Sequence, residues 1–190
     1  MENFQMKENE GYTYADYISW EDDGNRYELI DGVVYAMSSP TLKHQIALGN
    51  LYFILRVYLK GKKCRVILSP FDVRLKPEAK GKDKTVVQPD VLVVCDSKKL
   101  KDGKACLGPP DLTIEVISPS NTKYDTQIKY KKYLESGVRE YWIVDPENKT
   151  VTANRLVDKK YTPVTYTEND EAPVMVLEDF TIKLSEVFDY

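Results

Sequence analysis

Two carboxylates interrupt runs that otherwise read as buried strands. Asp90 stands in Val86-Val-Gln-Pro-Asp-Val-Leu-Val-Val94, and Glu115 in Leu112-Thr-Ile-Glu-Val-Ile117. An unpaired buried carboxylate is costly, so such a group is paired, protonated or metal-bound. Two of them on neighbouring strands would repel each other. A divalent cation removes that penalty and makes the pair useful for catalysis. Each residue also has a plain structural explanation. Asp90 follows Pro89 and could accept backbone hydrogen bonds at a strand start or bulge. Glu115 could point out of a half-exposed strand, because it shares a face with Thr113 while Ile114 and Val116 face away.

A third group comes from residues 122–136, which carry Lys123, Lys129, Lys131 and Lys132. Lysines on a helix ordinarily form a solvated face. A two-acid metal site, however, gains from a cation that orients water and offsets phosphate charge. Lys129 and Tyr133 share a face at i and i+4, and Ile128 lies beside them, so Lys129 is the most interior candidate. His44, the only histidine, either packs or caps locally at a helix start or contacts a phosphate. Tyr141-Trp142 reads as core. Oxygen donors without a His/Cys cluster suit Mg2+, with Mn2+ as a substitute, rather than zinc. Cys64, Cys95 and Cys106 form no CxxC pair and are odd in number. They read as three reduced thiols in a cytoplasmic protein. A catalytic Cys-His pair would have only His44 to use.

The elements that must position these groups follow from periodicity and punctuation. Thr13 to Trp20 reads as a short helix capped by Thr13, with Asp16 as a near capping box. Arg26–Ile30 and Val33–Met37 flank Asp31-Gly32, a strong hairpin signal. Pro40–Leu59 carries apolar residues at helical spacing. Strands are expected at 65–68, 71–75, 86–94, 112–117 and 140–144, with charged loops at 76–84 and 97–104. Residues 122–136 read as a helix closed by Gly137. A hairpin at 151–156 and 161–166 and a short helix at 184–188 complete the reading. The order predicts an α/β fold, a mixed sheet flanked by helices. An N-terminal helix and hairpin precede it. One domain spans 1–190, its core about 10–156 and a C-terminal β extension about 157–190.

Composition sets the outer limits. The chain has 190 residues, 27 basic and 30 acidic, and 42% hydrophobic residues. That is enough for a core without staples. No run approaches the ~18 apolar residues of a membrane helix, and the polar N-terminus does not read as a signal peptide. The formal net charge of −3 disfavours a generic basic nucleic-acid binder, but its distribution is uneven. Residues 56–104 hold 14 basic and 6 acidic groups, whereas 1–55 and 140–190 are each net −6. The expectation is a basic surface beside the acids and nucleic-acid binding that weakens steeply with salt.

Five strings, in order, carry a resemblance. They are Arg26-Tyr-Glu-Leu-Ile-Asp-Gly32; His44-Gln45; Gln88-Pro-Asp-Val-Leu-Val-Val94; Gly108-Pro-Pro-Asp-Leu-Thr-Ile-Glu-Val-Ile-Ser-Pro-Ser120; and Lys129-x3-Tyr133-x3-Gly-Val-Arg-Glu-Tyr-Trp-Ile-Val-Asp-Pro146. The chain resembles the Uma-two family of the restriction-endonuclease-like superfamily, whose motif is written PD-(D/E)XK. The resemblance implies a restriction-endonuclease-like fold and a Mg2+-dependent endonuclease acting on DNA, with dimerisation unsurprising. It implies Asp90 and Glu115 as metal ligands and Glu28 as a further acid brought from the N-terminal element. His44 becomes a possible substrate contact. The motif lysine should stand at 117, where this chain has Ile117. The resemblance implies a lysine moved to the next helix, at Lys129, with Gln127 or Lys131 as substitutes in another register. The departure at Ile117 motivates an alternative, an inactive nuclease-fold module for DNA binding or protein assembly.

Overall fold

The computed structural model describes residues 11–118 and 123–190. Residues 1–10, the Pro119-Ser120 end of one motif string and the expected helix start at Thr122 lie outside the described residues. The capping box at Thr13 and Asp16 opens α1 (Tyr14–Tyr17), a single turn that stops short of Trp20. Trp20 instead packs edge-on against Tyr12, Tyr17 and Tyr27. β1 (Tyr27–Ile30) and β2 (Val33–Ala36) form the expected hairpin, with Asp31 and Gly32 both at positive φ, as a two-residue primed turn requires. Gly32 has a second constraint, since a Cβ there would lie 3.0 Å from Gly11 Cα. α2 (Leu42–Tyr58) begins at Thr41, whose hydroxyl accepts from the His44 N–H.

The later elements are β3 (Arg65–Leu68), β4 (Asp72–Arg74), β5 (Val86–Val87), β6 (Val91–Val94), β7 (Ala105–Leu107) and β8 (Leu112–Val116). A π-helical stretch, Tyr124–Lys129, runs into α3 (Tyr130–Ser136), which Gly137 closes in the left-handed conformation. β9 (Glu140–Asp145), β10 (Thr150–Val157), β11 (Lys160–Thr167), β12 (Glu171–Pro173), β13 (Thr181–Lys183) and α4 (Leu184–Val187) follow. Three sheets result, ordered β2-β1-β5-β4-β7, β11-β10-β9-β8-β6-β3 and β12-β13. The fold is the expected mixed α/β arrangement. β8 and β9 are parallel, joined through the π-helical stretch and α3.

Alternation along the six-stranded sheet sorts side chains to two cores. Val91, Val93, Leu112 and Ile114 pack with Leu51 and Leu55 of α2. Leu92, Val94 and Tyr141 face the other way, towards Tyr133 of α3 and Val73 and Val87 of the five-stranded sheet. The C-terminal strands are present and pack centrally. Val174, Ile182, Leu184 and Val187 belong to the α2-side core.

Two further features differ from the expectation. The apolar run 86–94 is not one strand but two, β5 and β6, in different sheets. Pro89 has no N–H to donate, and the Gln88 N–H donates to the Glu28 carboxylate instead of a ladder partner. The thiol expectation is corrected: Cys64 and Cys95 form a disulfide. Antiparallel pairing of Arg65 with Val94 places the two cysteines opposite each other just beyond the ladder, a register that a separation of 31 residues does not reveal. One ground for a cytoplasmic location thereby falls away. Cys106 is a buried free thiol, and burial pushes it up to about 12.

Candidate active site

β6 and β8 pair with Val91 opposite Ile114. One step further, the same register sets Asp90 opposite Glu115. Asp90 caps the end of β8: its Oδ2 accepts from the Val116 N–H at 2.8 Å and lies 3.2 Å from His44 Nε2. Glu115 points inward, under α3. Its Oε1 accepts from the Tyr133 hydroxyl at 2.6 Å and from Lys129 Nζ at 2.9 Å. Glu28 arrives from β1 of the other sheet, and its Oε1 lies 3.0 Å from Lys129 Nζ and accepts from Gln88 N. Thus the short crossing Gln88-Pro89-Asp90 ties the two sheets together, holding Glu28 at one end and the end of β8 at the other.

These groups are sequestered. Glu28 is 1% exposed, Glu115 3%, Lys129 2% and Asp90 9%. They lie in a cleft of about 690 Å³. Burial drives the Glu115 carboxyl well above its ordinary range, with Lys129 opposing the shift. Burial disfavours the Lys129 ammonium, but Glu115, Glu28 and Asp125 together raise it well above the usual lysine value. For His44 burial acts downward, yet the Asp90 carboxylate prevails and its proton is held above 6.5.

The substitutes for Lys129 point elsewhere: Gln127 is exposed, and the Lys131 side chain is 70% exposed and paired with Glu135. Ile117 follows β8 directly, its N–H donating to Val144 O. The sequence reading missed Asp125. It is buried, one turn before Lys129 and 3.4 Å from its Nζ, and desolvation raises it to about 6. An acid four residues before the interior lysine was the available signal. Arg26 and Lys123 also line the cleft.

The donor set suits a hard divalent cation. Four buried carboxylates (Glu28, Asp90, Glu115 and Asp125) face Lys129 and His44. The acids outnumber the two basic partners four to two. Glu28 Oε2 is buried without a hydrogen-bond partner, which is costly for a carboxylate. Among the described residues no three acids, histidines or cysteines are arranged as a ready coordination shell, because Lys129 draws Glu28 and Glu115 to itself.

The expected basic surface is displaced. None of the basic residues of 56–104 lines this cleft. Lys76, Lys82 and Lys84 border a separate depression beside Asp31, and Arg56, Lys60, Lys62 and Arg65 another at the end of α2. Closeness in sequence to Asp90 is not closeness in space, because the loops leave the strands at their far ends.

A solved structure of a "putative nuclease belonging to DUF820" from Anabaena variabilis ATCC 29413 matches with a TM-score of 0.75. It covers 94% of this chain and 98% of that one at 16% identity, a likeness of fold. "Uncharacterized protein slr1290" from Synechocystis sp. (strain ATCC 27184 / PCC 6803 / Kazusa) is 25% identical over 130 residues. That match spans 68% of this chain and 65% of the relative's length. The model of the Uma2 family, described as "Putative restriction endonuclease", matches residues 14–185, and the chain belongs to that family.

Proposed function

We propose that the protein is a divalent-metal-dependent endonuclease that hydrolyses DNA phosphodiester bonds. The observation that carries this is one buried cleft in which Glu28 and Glu115 meet on Lys129 and Asp90 lies opposite Glu115 across the strand pair. Asp90, Glu115 and Glu28 would hold Mg2+, or Mn2+ in its place, with the Val116 carbonyl as a further oxygen. When bound, the ion supplies Lewis-acid polarisation of the scissile phosphate and a water of lowered pKa. Lys129 would orient the attacking water and stabilise charge developing on the phosphoryl oxygens. Tyr133 and Asp125 hold Glu115 and Lys129 in place. His44 fixes Asp90 and offers a donor to phosphate. A homodimer would present two such sites to the two strands of DNA.

Purified protein incubated with supercoiled and linear DNA should cleave with Mg2+ or Mn2+ and not with EDTA. Asp90→Asn, Glu115→Gln or Lys129→Met should each slow cleavage by about 100-fold or more. Absence of cleavage with either metal, or full activity in Asp90→Asn, would sink the reading. A second reading has its own observation: Lys129 already bridges Glu28 and Glu115, as a purely structural ion pair would. An inactive module of this kind would bind DNA or a protein partner equally well in all three variants.

A further inference from the structure

The endonuclease reading leaves open what form of DNA reaches the acids. The reacting groups are not on the surface: the most exposed, Asp90, retains 9% of its accessibility. The cleft above them is half apolar in character. Tyr35 and Met37 come from the β2 side, Leu48 from α2, and Ile128 from the π-helical stretch. The Tyr35 ring lies 4.9 Å from that of Tyr124. Arg26 lines the same wall. Its Nε is held by Gln88 Oε1 at 3.1 Å, while its Nη2 is buried with no hydrogen-bond partner.

A site for a stacked duplex needs little of this. Duplex phosphates are met by exposed cations and backbone amides, and paired bases keep their faces covered. Apolar and aromatic walls beside a catalytic centre suit an uncovered base face. The volume of about 690 Å³ lies within the ~300–1,000 Å³ range of pockets that enclose small ligands, and a nucleotide is such a ligand. We propose that the cleft admits an unstacked nucleotide, so that the substrate is a single-stranded or splayed segment of DNA rather than an intact duplex. The phosphate then reaches the acids because its base has left the stack, with Arg26 Nη2 a donor to that base or to the next phosphate. This rests on the endonuclease reading for the chemistry, but binding can be tested without it.

The test uses one oligonucleotide carrying 2-aminopurine, single-stranded and as its blunt duplex. Binding is measured in Ca2+, and cleavage separately in Mg2+. The expected result is at least tenfold tighter binding of the single strand, with a change in 2-aminopurine fluorescence. Met37→Glu and Arg26→Gln should each weaken that binding several-fold while leaving the melting temperature within a few degrees. Equal or tighter binding of the duplex, silent fluorescence, or wild-type binding by Met37→Glu would overturn the proposal. Tighter binding of RNA of the same sequence would overturn the choice of DNA. Duplex cleaved as fast as single strand defeats the proposal and leaves the endonuclease standing. Single-strand binding with the fluorescence change but no cleavage of either form defeats the endonuclease and supports the pocket.

Discussion

Lys129 is the residue on which the candidate site turns. Its ammonium answers three carboxylates that would otherwise repel one another in a buried space. Removing one partner of a buried ion cluster typically costs about 3–5 kcal/mol. Lys129→Met should therefore lower the melting temperature in EDTA, and Mg2+ or Ca2+ should restore part of the loss by replacing the missing positive charge. A loss that metal leaves unchanged would mean the carboxylates do not bind the ion. His44 gives a pH signature. Its proton is held more tightly in the folded chain, so its contribution is complete below its ordinary value of about 6.5. It is lost as pH rises through the raised value. His44→Gln should flatten stability against pH just above that point, and an unchanged profile would contradict the His44–Asp90 pairing. Asp90 and Glu115 were legible as anomalies because charge within an apolar run is expensive. Their opposition across β6 and β8 was not, because register is a pairwise property. Asp125 was hidden among residues that resemble an ordinary solvated helix face.

The hairpin and the strand ends decide how accurately the acids are held. Gly32→Ala should destabilise more than Gly137→Ala. Both sit at positive φ, but a Cβ at Gly137 meets nothing and one at Gly32 lies 3.0 Å from backbone. The left-handed conformation alone should cost about 1–2 kcal/mol at Gly137, and Gly32→Ala clearly more, read by denaturant unfolding. Glu140 on β9 is wholly buried, and burial raises its carboxyl above the usual value. Its two oxygens accept from Trp142 Nε1 and Val176 N. Glu140→Gln turns one acceptor into a donor facing a donor, so a loss of about 1–3 kcal/mol is expected. Elements with strong local signals were readable: the Asp31-Gly32 hairpin, the helical spacing of α2, and the segment that ends at Gly137. The three-residue strands β7, β12 and β13 are too short to show a period. The division of 86–94 depended on which sheet each half joins, and on Glu28 capturing the Gln88 N–H.

At the scale of the whole molecule, charge and covalent links set the remaining expectations. Among the described residues, only Arg26, His44, Lys123 and Lys129 bring basic side chains to the cleft. With about 0.7 counterion released per phosphate contact on a single strand, log Kobs against log salt should fall no more steeply than about −3. A slope near −7 would place the distant lysines of 56–104 on the nucleic acid. The disulfide closes a loop between residues separated by 31 positions, for which chain entropy suggests about 3–4 kcal/mol. Reduction should lower the melting temperature, and thiol titration of the unreduced, unfolded chain should find Cys106 alone. Neither property was legible from composition, since total charge says nothing of where loops point. No helix among the described residues is long and apolar enough to cross a membrane. The central claim is that the buried acids of the cleft take up a divalent cation. Its most direct test is anomalous diffraction from crystals soaked in Mn2+. The account predicts one strong peak bounded by Asp90, Glu115 and Glu28 that is lost in Asp90→Asn. No peak there, or one unchanged by that substitution, would contradict it.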